Sequence, residues 1–153
     1  MTEVRPAVTA DIVGLLAVEE EFRLAGTPEW FLMDDAWFQR KIDRDELLIA
    51  DDDGIVGYLM WTSLWRLPWI EFARVLADRR REGIGKALVR GLEDRLRAAG
   101  GWMLLSSSTG TDEDAIAWHR AIGFKDGGRI EWKGRNAMSE LCNRERGRSE
   151  ILR

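Results

Sequence analysis

The stretch RREGIGKAL, residues 80–88, limits most strongly what this chain can fold into. A strand-like apolar run, LPWIEFARVL at residues 67–76, stands before it. A helix follows from Gly83 to about Ala99, with Ile84, Ala87, Leu88, Leu92, Leu96 and Ala99 on one face and Gly100-Gly101 as its stop. Glycines placed directly after a strand and directly before a helix let backbone approach a ligand closely. The first amides of a helix have no partner within it, and the helix dipole favours negative charge there. Arg80, Arg81 and Lys86 can add charge-assisted contacts. The physics is that of an anion site; the plain alternative is a basic, solvated helix start with a glycine turn.

Two nucleotide loops are excluded by spacing. A P-loop needs glycine five residues before its Gly-Lys pair and a hydroxyl after the lysine; here those places hold Arg80 and Ala87. A dinucleotide fingerprint needs a third glycine where Leu88 stands. The acid expected about 20 residues further on would fall in the strand-like segment 102–106, which has none.

The rest of the chain alternates between helical and extended patterns. Residues 3–6 read as a first strand. Thr9 is a suitable N-cap, with Asp11 in the first turn and Ile12, Leu15, Leu16 and Phe22 at helical spacing. Gly26-Thr27-Pro28 breaks that helix, and residues 34–42 predict a second. Residues 47–50 and 55–62 read as strands joined by the turn Asp51-Asp52-Asp53-Gly54. Consecutive acids, with Thr62 where a calcium loop needs glutamate, make this a plain turn rather than a metal loop. Residues 102–106 predict a buried strand. Thr111 with Asp114 forms a capping box for a further helix ended by Gly123, and residues 124–132 and 138–144 read as two last strands. The expected architecture is a single mixed α/β or α+β domain over residues 1–145, followed by a loose charged tail at 146–153.

Two blocks carry a resemblance. VLADRRREGIGKAL, residues 75–88, is similar to the pyrophosphate motif of the GNAT superfamily of acetyl-CoA-dependent N-acyltransferases, whose core is Arg or Gln, two residues, Gly, one residue, then Gly or Ala. AIAWHRAIGF, residues 115–124, resembles the late helix of that family, which ends in Gly-Phe before a strand. The second block looks closest to some aminoglycoside and small-amine acetyltransferases. The resemblance covers residues 70–132 well and the first half only in element order. It implies a mixed central sheet of about six to seven strands flanked by about four helices, with a splayed strand pair that binds coenzyme A.

The resemblance also implies roles. The pantetheine arm would bond main chain near Ala73, Val75 and Ala77. The segment Arg80, Arg81, Glu82, Gly83, Ile84, Gly85 and Lys86 would hold the pyrophosphate, mainly by its amides. Acetyl would pass directly from the thioester to an amine of a small molecule or peptide. That amine is mostly protonated at neutral pH, so a base must take a proton. Glu71 is the candidate, the only acid in its apolar run and, by strand alternation, on the same face as Val75. The tyrosine that many relatives use to protonate the thiolate is replaced here by His119, which can donate near neutral pH; a helix-end histidine that stabilises the dipole is its alternative. Asp112 stands where many relatives carry asparagine. Ser106, Ser107 and Ser108 read first as loop chemistry and second as contacts to substrate or coenzyme A.

Eight tryptophans occur in 153 residues. Most belong to core or interface by their apolar area. Trp30, Trp61, Trp65 and Trp69 could pack over a cationic substrate, which the formal net charge of -4 also favours. The single cysteine, Cys142, reads as structural, and the reducing cytoplasm as the simplest compartment. No signal-peptide pattern opens the chain, and no apolar run approaches a membrane span. No metal, membrane or nucleic-acid partner is expected, because the basic run at 79–81 is local and lacks interleaved aromatics. A homodimer stays open. A non-catalytic module that binds coenzyme A or regulates is the alternative to an enzyme.

Overall fold

The computed structural model describes residues 1–101, 103–108 and 111–128. It divides into two units, residues 1–106 and 107–153. In the first, strand β1 (Glu3–Pro6) leads to helix α1 (Ile12–Leu24) and helix α2 (Asp35–Asp43). Strands β2 (Leu47–Asp51), β3 (Ile55–Leu64) and β4 (Leu67–Val75) follow, then helix α3 (Ile84–Ala98) and the short strand β5 (Leu105–Ser106). The five strands lie in the order β1-β2-β3-β4-β5. The first three pairings are antiparallel and β4 runs parallel to β5. In the second unit the described element is helix α4 (Glu113–Ala121).

The sheet is covered on both faces because its strands alternate two apolar sets. Ile49, Tyr58 and Met60 pack with Leu15 and Val18 of α1 and Phe38 of α2. The Phe38 and Tyr58 rings meet edge to face with centroids 5.5 Å apart. Leu48 and Leu59 point the other way, toward α3, whose Leu88 and Leu92 are fully buried. Each such leucine contributes about 1.5–3 kcal/mol by leaving water. Gly91 lets α3 lie close to the sheet, since a Cβ there would stand 2.9 Å from Cγ1 of Val4.

Local chemistry accounts for the boundaries. Asp34 caps α2, its Oδ1 accepting from Trp37 N at 2.7 Å. The turn after β2 is closed by Asp51 Oδ1, which accepts from Gly54 N, three residues on, at 3.1 Å. Leu64 pairs with Leu67, so β3 and β4 are joined by the two residues Trp65 and Arg66, at φ 52° and 65°. Both sit in the left-handed region that a two-residue hairpin of this type demands.

Four sequence expectations are corrected. Thr9 does not cap α1; residues Thr9–Asp11 form a 3-10 turn, and Asp11 Oδ2 accepts from Val8 N at 2.8 Å. Asp11 can do so because Arg5 clamps its carboxylate from 2.8 and 2.9 Å. The cap of α4 is Asp112 rather than Thr111, with Asp112 Oδ1 accepting from Ala115 N at 2.9 Å. Of the strand expected over 102–106, Leu105–Ser106 is paired among the described residues; in the same parallel register Leu104 would fall opposite Pro68, which has no amide to donate. The sheet has five strands among the described residues, fewer than six to seven; residues 124–128 are not extended into a strand, and 129–132 and 138–144 lie outside the described residues, as do Trp102, Cys142 and the tail. Among the described residues no helix is long and apolar enough to cross a membrane.

Candidate active site

The glycine loop leaves β4 and enters α3 through one left-handed pair. Arg81 has φ 65° and Gly83 has φ 85°. Gly83 is the N-cap of α3 and supplies no side-chain cap, and the first turn of the helix carries no acid. The first-turn amides, from Ile84 to Lys86, therefore have no partner from their own helix and no built-in anion. A Cβ on Gly83 would meet no atom within 4 Å, so what the position needs from glycine is its backbone conformation.

The cations around this loop are divided. Arg79 is engaged inward, 2.6 Å from Asp52 and 2.9 Å from Glu82, and these two carboxylates hold its pKa above the ordinary value. Glu82 thus serves the loop as a brace. Arg80 donates from Nε to the carbonyl of Val75 at 3.3 Å and lies over the Phe22 ring. The side chains of Arg80, Arg81 and Lys86 are exposed. The Ala77 amide is taken by Oε1 of Glu21 on α1 at 2.8 Å.

Upstream of the loop, β4 has an open edge. Its pairing with β5 consists of Trp69 with Leu105 and Ile70 with Ser106. From Glu71 to Val75, including Ala73, β4 has no strand partner on that side among the described residues. On that edge the Val75 carbonyl accepts from Arg80 Nε, and the Ala73 main chain has no strand partner among the described residues.

Glu71 sits where β4 changes register. Met60 pairs with Phe72 but Trp61 pairs with Ile70, so Glu71 is the extra residue of a β-bulge. This corrects the expectation that Glu71 and Val75 share a face. Simple alternation would place Glu71 with Val75; the bulge turns it to the face of Phe72 and Arg74, toward α2. There Oε2 of Glu71 lies 2.8 Å from Nζ of Lys41. The contact is a salt bridge to a buried carboxylate oxygen. Lys41 is 4% exposed. Its ammonium donates to the carbonyl of Trp61 at 2.6 Å and to Oε2 of Glu46 at 3.0 Å.

A second buried charge cluster adjoins it. Arg74 Nη1 donates to both oxygens of Glu19 on α1, at 2.9 and 2.8 Å. The Tyr58 hydroxyl donates to Glu19 Oε1 at 2.5 Å. Burial pushes the Tyr58 hydroxyl well above its ordinary pKa, against the pull of the Arg74 charge. The cluster reaches the segment between α1 and α2 from two sides: Met33 N donates to Glu19 Oε2 at 2.7 Å, and Arg74 Nη2 donates to the Phe31 carbonyl. Phe31 in turn meets Phe72 edge to face at 5.6 Å, and the exposed Trp30 ring lies 4.3 Å from Phe31.

The tryptophans grouped by sequence do not form one wall. Trp61 pairs with Ile70 and is buried, whereas Trp69 pairs with Thr62, so the two face opposite sides of the sheet. Trp65 is exposed at the hairpin tip. Trp30, with Phe31 and Phe72, stands on the face of Glu71.

In the second unit, His119 occupies the last turn of α4, half-buried, with Nδ1 2.6 Å from the Ala115 carbonyl. Its ring meets Trp118 at 5.0 Å and Phe124 at 5.3 Å, both edge to face. With the Nδ1 proton directed at Ala115, the ring can give a proton from Nε2 only as imidazolium.

Lys41, Glu46, Glu19 and Arg74 escaped the sequence reading. A signal existed for two of them. Lys41 falls three residues after Phe38, and Glu19 four after Leu15, each on the buried stripe of its helix. A charge at a core position of an amphipathic helix implies a buried partner.

Comparison with known proteins agrees with this geometry. Solved structures share the fold. An aminoglycoside antibiotic 6'-N-acetyltransferase from Acinetobacter baumannii superposes with a TM-score of 0.70 at 20% identity, over 89% of this chain and 99% of that one. The ribosomal-protein-S18-alanine N-acetyltransferase from Escherichia coli gives 0.68 at 18% identity, over 84% and 80%. The PaiA N-acetyltransferase from Thermoplasma acidophilum, solved in complex with coenzyme A, gives 0.71 at 16% identity, over 83% and 94%. No curated protein sequence matches. The model of the Acetyltransferase (GNAT) family matches residues 15–124, a span that runs from α1 through the glycine loop to the end of the AIAWHRAIGF block, and the chain belongs to that family.

Proposed function

We propose that this protein is an acetyl-CoA-dependent N-acetyltransferase that passes acetyl directly to a primary amine of a small molecule or peptide within a ternary complex. The observation that carries the reading is the left-handed Gly83 opening an uncapped α3 immediately beyond the open edge of β4. Free first-turn amides suit a pyrophosphate, and an unpaired strand edge suits the amides of pantetheine. The coenzyme A bound in a fold relative supports the same ligand. The names of two other relatives put an aminoglycoside and a protein alanine among the amines that this fold serves.

Each residue then has a task. Ala73 and Val75 offer main-chain groups to the pantetheine arm. The amides of 81–86 hold the pyrophosphate, with Arg80, Arg81 and Lys86 adding charge. Glu71 takes a proton from the acceptor ammonium, and the freed amine attacks the thioester carbonyl. A C–N bond forms, the C–S bond breaks, His119 as imidazolium protonates the departing thiolate, and the attacking nitrogen sheds its second proton to water as the amide forms. Trp30, with Phe31 and Phe72, offers ring faces to a cationic acceptor, and Trp69, paired with Thr62, stands on that same sheet face; Trp61, buried on the opposite face, and Trp65, exposed at the hairpin tip, hold weaker claims.

A module that binds coenzyme A without transfer is the second reading. It is favoured by one observation: Tyr58, the chain's single tyrosine, is fully buried and bonded to Glu19, so no tyrosine can serve as the acid. Thermal unfolding with acetyl-CoA tests both readings, since each requires that the ligand raise the melting temperature. Release of free thiol in the presence of amines separates them. The panel is aminoglycosides, polyamines, amino acids and peptides with free N-termini.

A further inference from the structure

We propose that Lys41 is a positioning residue for the transfer reaction, holding Glu71 by one carboxylate oxygen and leaving the other for the acceptor amine. The inference rests on the N-acetyltransferase reading and deepens it.

Lys41 is in a place where a lysine is costly. It is 4% exposed, on the same buried face of α2 as Phe38. An apolar side chain there would complete the helix face without desolvating a charge. The ammonium is retained among three oxygens, those of Trp61, Glu46 and Glu71, at 2.6, 3.0 and 2.8 Å. Two of the three contacts lie at the bulge itself. Trp61 is the residue at which the register shifts, and Glu71 is the extra residue opposite it. One ammonium therefore ties the two strands of the bulge together and sets the direction in which Glu71 points.

Charge gives the arrangement a second consequence. One cation serves two carboxylates, so the cluster carries one surplus negative charge. The remaining nearby cation on β4, Arg74, is committed to Glu19 of α1. The carboxylate of Glu71 is 22% exposed, and its buried oxygen Oε2 is the one facing Lys41. Oε1 is left to accept from an incoming ammonium. Lys41 gives two of its three N–H groups to Glu46 and to the Trp61 carbonyl and meets Glu71 in a salt bridge at 2.8 Å, so Oε2 stays with the ammonium while Oε1 meets the acceptor.

The test is a double-mutant cycle on the full chain, using the fastest amine of the panel. Lys41→Met should lower kcat at least about tenfold in the native background, with the dissociation constant of acetyl-CoA within about twofold of native. In the Glu71→Gln background the same change should move the residual kcat, followed with radiolabelled acetyl-CoA, by less than about twofold. Equal losses in the two backgrounds would show that Lys41 merely supports the fold and would overturn the proposal, as would an unchanged kcat in the native background. Where Lys41→Met does not fold, Glu46→Ala takes its place; it removes one of the two anchors of the ammonium, and its loss of kcat must likewise vanish with Glu71→Gln. Where Glu71→Gln leaves no rate to divide, Glu71→Asp, whose shorter side chain stands back from Lys41, is the second background, and Lys41→Met must cost less there than in the native chain. If the native chain acetylates no amine, the N-acetyltransferase reading itself has failed, an outcome distinct from all of these.

Discussion

Arg74 grips Glu19 with one nitrogen bonded to both carboxylate oxygens, at 2.9 and 2.8 Å, and the two side chains are 6% and 5% exposed. The pair joins β4 to α1 and fastens the segment bearing Trp30 and Phe31 through the Phe31 carbonyl and the Met33 amide. Removing one partner leaves the other charge buried and unpaired. Arg74→Met should cost about 3–5 kcal/mol in urea unfolding. The double replacement Arg74→Met with Glu19→Leu should cost less than Arg74→Met alone, because no orphaned charge remains. A double variant weaker than the single one would contradict this account of the pair.

Stability should fall in acid through Asp11. The Arg5 guanidinium holds its carboxyl below the usual carboxylate range. A free aspartate titrates near about 3.9, so the stabilisation is fully present above that pH and is lost as pH falls through the lower folded value. Asp11→Asn should be less stable than native at pH 7, and the gap should close below about pH 4. Urea midpoints measured across this range check both the sign and the window.

Alkali acts through Tyr58 with the opposite slope. Its folded pKa is raised by burial, while an unfolded tyrosine ionises near about 10. Below that pH both states are protonated and nothing changes. Above it the unfolded chain ionises first, so stability falls as pH rises. Tyr58→Phe, though weakened at neutral pH by losing the bond to Glu19, should show a flatter decline above about pH 10. An equally steep decline in the variant would place the alkaline weakness elsewhere.

Gly83→Ala isolates the loop. At φ 85° an alanine bears a conformational cost of about 1–2 kcal/mol, and the open space around its Cβ adds no clash. The variant should therefore fold with that modest loss. Acetyl-CoA affinity should weaken about tenfold or more, because relaxation toward negative φ re-aims the first amides of α3. Calorimetric titration of acetyl-CoA against native and variant protein reads it directly; unchanged affinity would detach the loop from ligand binding.

Much of the scaffold was legible because it is written in local chemistry. The break at Gly26-Thr27-Pro28 set off α2, the Asp-Asp-Asp-Gly turn announced the β2–β3 hairpin, and Gly83 with the periodic run after it announced α3. What was hidden depends on partners distant in the chain. Lys41 meets residues 20 and 30 positions away, at Trp61 and Glu71, and Glu19 meets Arg74 across 55. The bulge at Glu71 has no local sign, because it is a mismatch in count between two strands and neither strand alone contains it. The hairpin tip was equally silent: Trp65 and Arg66 lack the glycine or asparagine that a left-handed pair usually carries. For His119 the sequence supplied an imidazole and a helix end, and the second unit supplies its hydrogen bond to Ala115.

The central claim is transfer, and its most direct measurement is the amine-dependent release of coenzyme A thiol from acetyl-CoA by the purified full chain. The account predicts saturable release with at least one amine of the panel, above the rate in buffer, and a drop of about a hundredfold in kcat with Glu71→Gln. Release that stays at the level of spontaneous hydrolysis for every amine, while acetyl-CoA still raises the melting temperature, would contradict it and leave a module that binds coenzyme A without moving the acetyl group.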